Sequence, residues 1–228
     1  MAGHRLGRHI AHDPRSRGYR VQTVAESPTT KVWSRRTVWD QGKLGSCTGN
    51  ALVGVAATEP FHLAHHRYTE AVAVAVYERA TQLDSVHGVY PPDDTGSTGL
   101  AAAKAIVERG LARAYRWGFG IEDLTRTVAQ NGPAAVGTNW HTGMDTPNAD
   151  GLVKVTGAVR GGHEYEVIGW HADTTLGAPQ ANVFECQNSW GQAWGVTGTH
   201  GPGGRFFITH ADMAKLLDEN GDCVTLEV

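Results

Sequence analysis

Long apolar runs are what this sequence most plainly lacks. None approaches the roughly 18 residues of a membrane-spanning helix, and the first twenty residues hold no apolar core of the kind a secretory signal carries. Cysteine is scarce too. Cys47, Cys186 and Cys223 are odd in number, widely spaced and without a C-x-x-C pair, which argues against a disulfide framework or a structural zinc site. A reducing, cytoplasmic setting is the expectation. Neither sign of charge dominates: a net charge of −3 and a pI near 6.4 give no electrostatic case for nucleic acid or an anionic membrane as partner. What is present is an ordinary globular composition, 40% hydrophobic and 19% charged over 228 residues, enough for one large domain or two lobes.

The one biased stretch is the N-terminus, where Arg5, Arg8, Arg15, Arg17 and Arg20 face a single acid, Asp13. Residues 1–30 read as a polar, basic surface arm, solvated or used to bind a partner. Residues 31–228 form the remaining domain. "CTGNALVGVAATEPF", "YTEAVAVAVYERATQLDS", "GLAAAKAIVERGL" and "IEDLTRTVAQNG" predict helices, with Ser46 and Thr48 as cap candidates for the first and Gly110 closing the third. Beyond Pro133, "AAVGTNW", "HEYEVIGW", "ANVFECQNSW" and "GRFFITHADM" predict strands, and a last strand is expected near Cys223. The expectation is an α+β, two-lobed fold: a helical lobe over about 40–132, a strand-rich lobe over about 133–228, and a cleft between them.

Within "DQGKLGSCTGNALVG", Cys47 falls at the predicted first turn of a helix, where the macrodipole and unpaired N–H groups favour the nucleophilic thiolate. A buried, inert cysteine is the alternative. Gln41 offers a neutral amide that can donate to a developing oxyanion beside the Cys47 N–H. In "RGGHEYEVIGW", His163 begins a strand, and alternation puts Glu164 and Glu166 on its other face as a charged surface, one of them a candidate to influence substrate preference. In "FECQNSWGQAWG", Asn188 can orient an imidazole while Trp190 and Trp194 shield the bond from water. Read alone, His163 is as well a structural histidine, and "NSW" a turn. His62, His65 and His66 in "HLAHH" stand at helical spacing but lack a further ligand, so a solvated helix end is expected and no metal. Trp140 and His141 are candidates for the cleft wall.

Together "DQGKLGSC", "GGHEYEVIGW" and "NSWGQAWG" resemble the three hallmark blocks of the papain-like cysteine peptidases, in the family's order, over roughly Trp39 to Trp194. The resemblance implies a papain-like fold with a β-barrel-like C-terminal lobe. It implies Cys47 as nucleophile, His163 as acid/base, Asn188 as orienting amide, Gln41 as oxyanion donor and Trp190 as the indole over the His–Asn contact. Gly96 and Ser97, in "DDTGSTG", match the segment that pairs with substrate backbone. Peptide hydrolysis through a thioester, with a peptide or protein substrate and no cofactor, is the implied activity. Cell-wall peptide hydrolysis, acyl transfer, or a catalytically silent peptide-binding protein are the rivals. Leu44 stands where the family carries a cysteine, and Thr48 where it carries an aromatic residue. With about 40 residues before "DQG", the chain is more similar to short bacterial and phage members, and control of activity is expected to come from elsewhere than a long prosegment.

Overall fold

The structure, a computed structural model, describes residues 4–35, 37–196 and 203–228. Within them the chain forms β1 (Arg8–His9), β2 (Lys31–Val32), α1 (Cys47–Ala57), α2 (Glu70–Leu83), β3 (Ser97–Thr98), α3 (Gly99–Glu108) and β4 (Ala114–Gly118). It continues as α4 (Gly120–Gln130), β5 (Ala134–His141), β6 (Val159–His171), β7 (Val183–Gln187), β8 (Arg205–Thr209), α5 (His210–Asp218) and β9 (Asp222–Glu227).

The four helices expected from sequence are present, and their ends follow the local chemistry. Thr69 Oγ1 accepts the Val72 N–H at the start of α2, and Thr98 Oγ1 that of Ala101 at the start of α3. Gly110, just past α3, takes the left-handed conformation that a stop of this kind needs. Ser46 stands at the N-cap of α1 without capping it; its hydroxyl accepts from Asn50 Nδ2 instead. Helix α1 is buried from Cys47 through Ala56, the mark of a central rather than an amphipathic surface helix. It crosses α2 so closely that a Cβ on Gly49 would stand 2.3 Å from the Ala73 carbonyl oxygen.

The strands form an antiparallel sheet in the order β4-β9-β5-β6-β7-β8, with β2 added to the far half of the long β6. The strand-rich lobe was expected to be barrel-like; the sheet is instead open, with β4 and β8 at its edges. Alternation splits it between two cores. Ala135, Val224 and Leu226 pack toward α1, α2 and α3, while Ala134, Val136, Tyr165, Val167, Phe206 and Cys223 pack on the other face with Leu124 and Val128 of α4 and Met213 and Leu216 of α5.

Four further expectations are corrected. "HADM" does not extend a strand: Thr209 Oγ1 accepts the Asp212 N–H and opens α5. "HLAHH" runs through turns rather than a helix end, with the His65 and His66 rings 4.2 Å apart; among the described residues no group of three candidate ligands could hold a metal ion. Glu164 and Glu166 are buried, not a solvated face, because the sheet face they share carries α1; Glu166 pairs with Arg35, whose guanidinium also lies over the Trp39 ring. The N-terminal arm is not a surface appendage either. Its β1 pairs in parallel with β3, Val21 N–H donates to the Trp117 carbonyl, and Arg20 forks onto Asp123. No helix among the described residues is long and apolar enough to cross a membrane, and all three cysteines are buried free thiols.

Candidate active site

Cys47 occupies the first position of α1, as the sequence predicted, and is fully buried. The sulfur lies against the backbone of Glu164, Gly7 and Thr48. Two of these contacts place it at the junction between the lobes: Thr48 belongs to its own helix, and Glu164 is the residue after His163. The third is the arm. A Cβ on Gly7 would stand 2.1 Å from the Gly45 carbonyl oxygen, so only a glycine lets the arm lie on the loop that carries Cys47. Burial and the neighbouring Glu164 carboxyl push the Cys47 thiol up to about 12, against the hydrogen bonds from the three backbone groups.

His163 Nε2 and Asn188 Oδ1 are 2.8 Å apart, both residues buried. Ser189 N–H donates to the same Asn188 oxygen at 2.8 Å, which fixes the amide's orientation. His163 Nδ1 is left without a hydrogen-bond partner, Cys47 Sγ included. Trp190 stacks on the imidazole at 4.7 Å, and Trp140 meets it edge-on at 5.0 Å from below. Burial lowers the His163 pKa to about 4; the Asn188 bond opposes this, and the nearby His4 and Arg160 side chains add to it. In this state the proton therefore sits on sulfur and the ring is neutral.

Gln41 is held across the same junction. Its N–H donates to the Ser189 carbonyl, its Oε1 accepts from Ser189 Oγ at 2.5 Å, and Gly191 N–H reaches the Trp39 carbonyl. That leaves the Nε2 donor facing Leu44 O at 2.8 Å and Arg5 O at 3.2 Å. A carbonyl of the arm thus takes a bond from the amide proposed for an oxyanion. Gly96 and Ser97 also meet the arm: Ser97 N–H donates to Gly7 O at 2.8 Å, and a Cβ on Gly96 would stand 2.3 Å from that oxygen. From the other lobe, Gly7 N–H donates to Gly162 O at 3.2 Å. The segment suggested for pairing with a substrate backbone is paired with residues 7–9 instead.

Trp190 has the arm on its second face, with the His4 ring stacked at 4.4 Å. It is buried. Trp140 belongs to the core under His163, and His141 is tied to Glu219 and to Gly157 O, so of this pair only Trp140 touches the site. Several neighbours escaped the sequence reading. Asp94 knots three elements, accepting from Gly45 N–H at 2.9 Å and Tyr77 OH at 2.7 Å and pairing with Arg5 at 3.4 Å. Arg8 and Asp222 form a buried ion pair next to the sulfur. The excess of arginine in the arm was their one visible signal.

The sequence model of the papain family of cysteine proteases matches residues 77–201, a span that includes His163, Asn188 and Trp190 and begins after Cys47. No curated protein sequence matches significantly. Xylellain, a cysteine protease from Xylella fastidiosa, superimposes with a TM-score of 0.72 over 100% of this chain and 98% of its own, at 15% identity. Procathepsin B S9 from Trypanosoma congolense gives 0.67 over 98% and 87%, also at 15% identity. Digestive procathepsin L 3 of Tenebrio molitor gives 0.63 over 98% and 84%, at 14%. With the family matched over more than half its length and the two-lobed fold shared end to end, the chain belongs to the papain family of cysteine proteases.

Proposed function

We propose that the chain is a peptidase that cleaves peptide bonds through Cys47, His163 and Asn188 once residues 4–9 have left the groove. The observation that carries this is the buried His163 Nε2···Asn188 Oδ1 bond of 2.8 Å beside a sulfur that touches the next residue of the same strand. With Nε2 committed to the amide, only Nδ1 is free to exchange a proton with the thiol. Asn188 orients the ring without adding a negative charge that would hold the imidazolium too tightly.

The arm completes the seal over the sulfur: Gly7 is one of its three backbone neighbours and packs on the loop that carries Cys47. When the arm leaves, water reaches the site, the desolvation that raises the thiol and lowers the imidazole is relieved, and proton transfer from Sγ to Nδ1 becomes favourable. The thiolate then attacks the carbonyl carbon. The oxyanion takes the place vacated by Arg5 O, held by Gln41 Nε2 and the Cys47 N–H, each donor contributing on the order of 3 kcal/mol. His163 returns its proton to the leaving amine, a thioester forms, and water activated by the same ring releases the acid. The substrate is a peptide or protein, and the three free thiols favour a reducing, cytoplasmic setting. The full chain carrying Cys47→Ala should fold as the parent does and lose all iodoacetamide-sensitive peptide hydrolysis. Turnover retained in that variant would refute the assignment.

A further inference from the structure

Asp94 makes more bonds than fastening the arm requires. Oδ1 accepts the Gly45 N–H at 2.9 Å and the Tyr77 hydroxyl at 2.7 Å, and Oδ2 lies 3.1 Å from the same Gly45 nitrogen. The arm reaches it only through Arg5, whose Nε stands 3.4 Å from Oδ2 with the side chain half exposed, and whose Nη2 donates to the Asp94 carbonyl at 3.0 Å. A half-exposed ion pair of that length contributes little. The shorter bonds go to groups that stay in place when the arm leaves. The loop is built to accept them: a Cβ on Gly45 would stand 2.9 Å from Asp94 Oδ1, so a glycine is what lets the carboxylate close on the peptide. Burial, and then the bond to Asp94, raise the Tyr77 pKa, which keeps the phenol protonated and donating.

The Gly45 N–H belongs to a peptide unit whose other end faces the site. A peptide group is rigid and planar, so fixing its N–H fixes the direction of its carbonyl. The carbonyl here is that of Leu44, and it accepts from Gln41 Nε2 at 2.8 Å. The carboxylate also strengthens that bond, because an N–H donating to an anion polarises its amide and makes the carbonyl oxygen a better acceptor. Gln41 is thereby held at both ends, Oε1 by Ser189 Oγ at 2.5 Å from one lobe and Nε2 by Leu44 O from the other. An amide nitrogen carries two hydrogens in one plane. With one given to Leu44 O, the second has a single direction left. It meets Arg5 O at 3.2 Å, the position assigned above to the oxyanion. Tyr77 extends the same anchor: its oxygen accepts the Gly96 N–H at 3.0 Å, which sets the Gly96–Ser97 segment against the cysteine loop.

We propose that Asp94 is a positioning residue for catalysis: through the Leu44–Gly45 peptide it aims the Gln41 amide at the oxygen that becomes charged during peptide cleavage. This rests on the peptidase reading, since it assigns the support of that site's oxyanion donor. The donor matters most in the transition state, so loss of its support should lower kcat and kcat/KM together.

The test is a double-mutant cycle between Asp94 and Gln41 in the full chain carrying Arg8→Ala, which loosens the arm in every variant alike. A positional library of tetrapeptide aminomethylcoumarin amides supplies the substrate, the fastest member being carried through, and alkylation of Cys47 by iodoacetamide is measured beside hydrolysis. Alkylation forms no oxyanion, so dividing kcat/KM by its rate removes any change in arm opening or in the thiol. With Gln41 present, Asp94→Ala should lower both kcat and the normalised kcat/KM at least about tenfold. In the Gln41→Ala chain the same substitution should cost less than about twofold. Asp94→Asn, which keeps the accepting Oδ1, should recover kcat to within about threefold of the parent. Equal losses with and without Gln41, a normalised kcat/KM that falls while kcat does not, or Asp94→Asn as slow as Asp94→Ala overturns the inference. Should Asp94→Ala fail to fold, Asp94→Glu decides in the same cycle: a carboxylate displaced by one methylene should slow the Gln41 chain at least about fivefold and the Gln41→Ala chain less than about twofold, and equal effects overturn the inference. Cleavage that is lost in Cys47→Ala but unmoved by the cycle keeps the peptidase reading and removes the role of Asp94. Cleavage that survives Cys47→Ala, or none at all, removes both.

Discussion

The hold of the arm on the active site can be measured through one side chain. Arg8→Ala removes a guanidinium with no solvent exposure from a pair whose partner, Asp222, is 4% exposed. Truncating one member of such a pair costs about 3–5 kcal/mol, chiefly because the remaining charge stays sealed from water. That penalty falls on the closed state alone, since Asp222 and Glu164 are hydrated once the arm is out. Burial and the nearby Asp222 already push Glu164 toward its protonated form, so a proton relieves part of the repulsion and the low end of the range applies. About 3 kcal/mol multiplies the open population by roughly a hundredfold. Cys47 is reachable only in that population, so its alkylation by iodoacetamide at pH 7, followed by peptide mapping, should accelerate by about two orders of magnitude. Arg5→Ala is the control. Its ion pair with Asp94 spans 3.4 Å with the arginine half exposed, and such a pair contributes less than about 1 kcal/mol, hence an acceleration below about fivefold. Wild-type alkylation rates in Arg8→Ala would sink the reasoning, as would equal rates in the two variants.

Acid should loosen the arm. His163 has a pKa of about 4 when covered, against an ordinary 6.5, so the covered state has its full stability above pH 6.5 and loses about 3 kcal/mol as pH falls through about 4; limited proteolysis of residues 4–9 should quicken over that window, and a flat rate would count against it. Glu164 carries the opposite sign, its raised pKa withdrawing stability as pH climbs above the ordinary carboxyl range, so it offsets part of the His163 effect below pH 6.5 and lowers the arm's protection above it. Gly49→Ala should lower unfolding stability in urea by about 1–3 kcal/mol by forcing α1 from α2, and an unchanged midpoint would show that the helices can separate freely.

The helices α1 to α4 and the long strands were legible because each repeats a local pattern: capped apolar runs in the first half, alternation between turn residues in the second. The two-residue strands β1, β2 and β3 have no periodicity to read, being defined only by their partners. Helix α5 was missed although "THAD" carries its signal, a threonine followed three residues on by an acid. Cys47, His163, Asn188 and Gln41 stood out because each needs a particular functional group beside particular neighbours, and those neighbours are local in sequence. Asp94 differs. It lies 49 positions from the Gly45 N–H it accepts, so its role exists only through the fold. Glu164 was noticed, but alternation alone cannot say whether the second face of a strand meets solvent or a helix.

Residues 5 and 7 cover the two reacting ends of the site. Arg5 O takes the Gln41 donor and Gly7 lies on the sulfur, so no peptide can reach either position while the arm holds both. A competing substrate faces a tethered rival whose effective concentration is on the order of millimolar, and must bind better than the arm to displace it. Backbone pairing gives little advantage, because the arm already engages Ser97 N–H and Gly162 O. The difference arises at the oxyanion. Arg5 O is a neutral carbonyl 3.2 Å from the donor, whereas the oxygen of a tetrahedral intermediate is charged, and a bond to it is worth about 1.5–3 kcal/mol where a neutral one gives about 1. That gain exists only in the transition state, so it speeds the chemistry of a bound substrate and does nothing to dislodge the arm. Opening and turnover therefore answer to different residues. Arg8 governs how often the groove is uncovered, and Asp94, whose bonds to Gly45 and Tyr77 do not involve the arm, governs how well the uncovered donor is aimed.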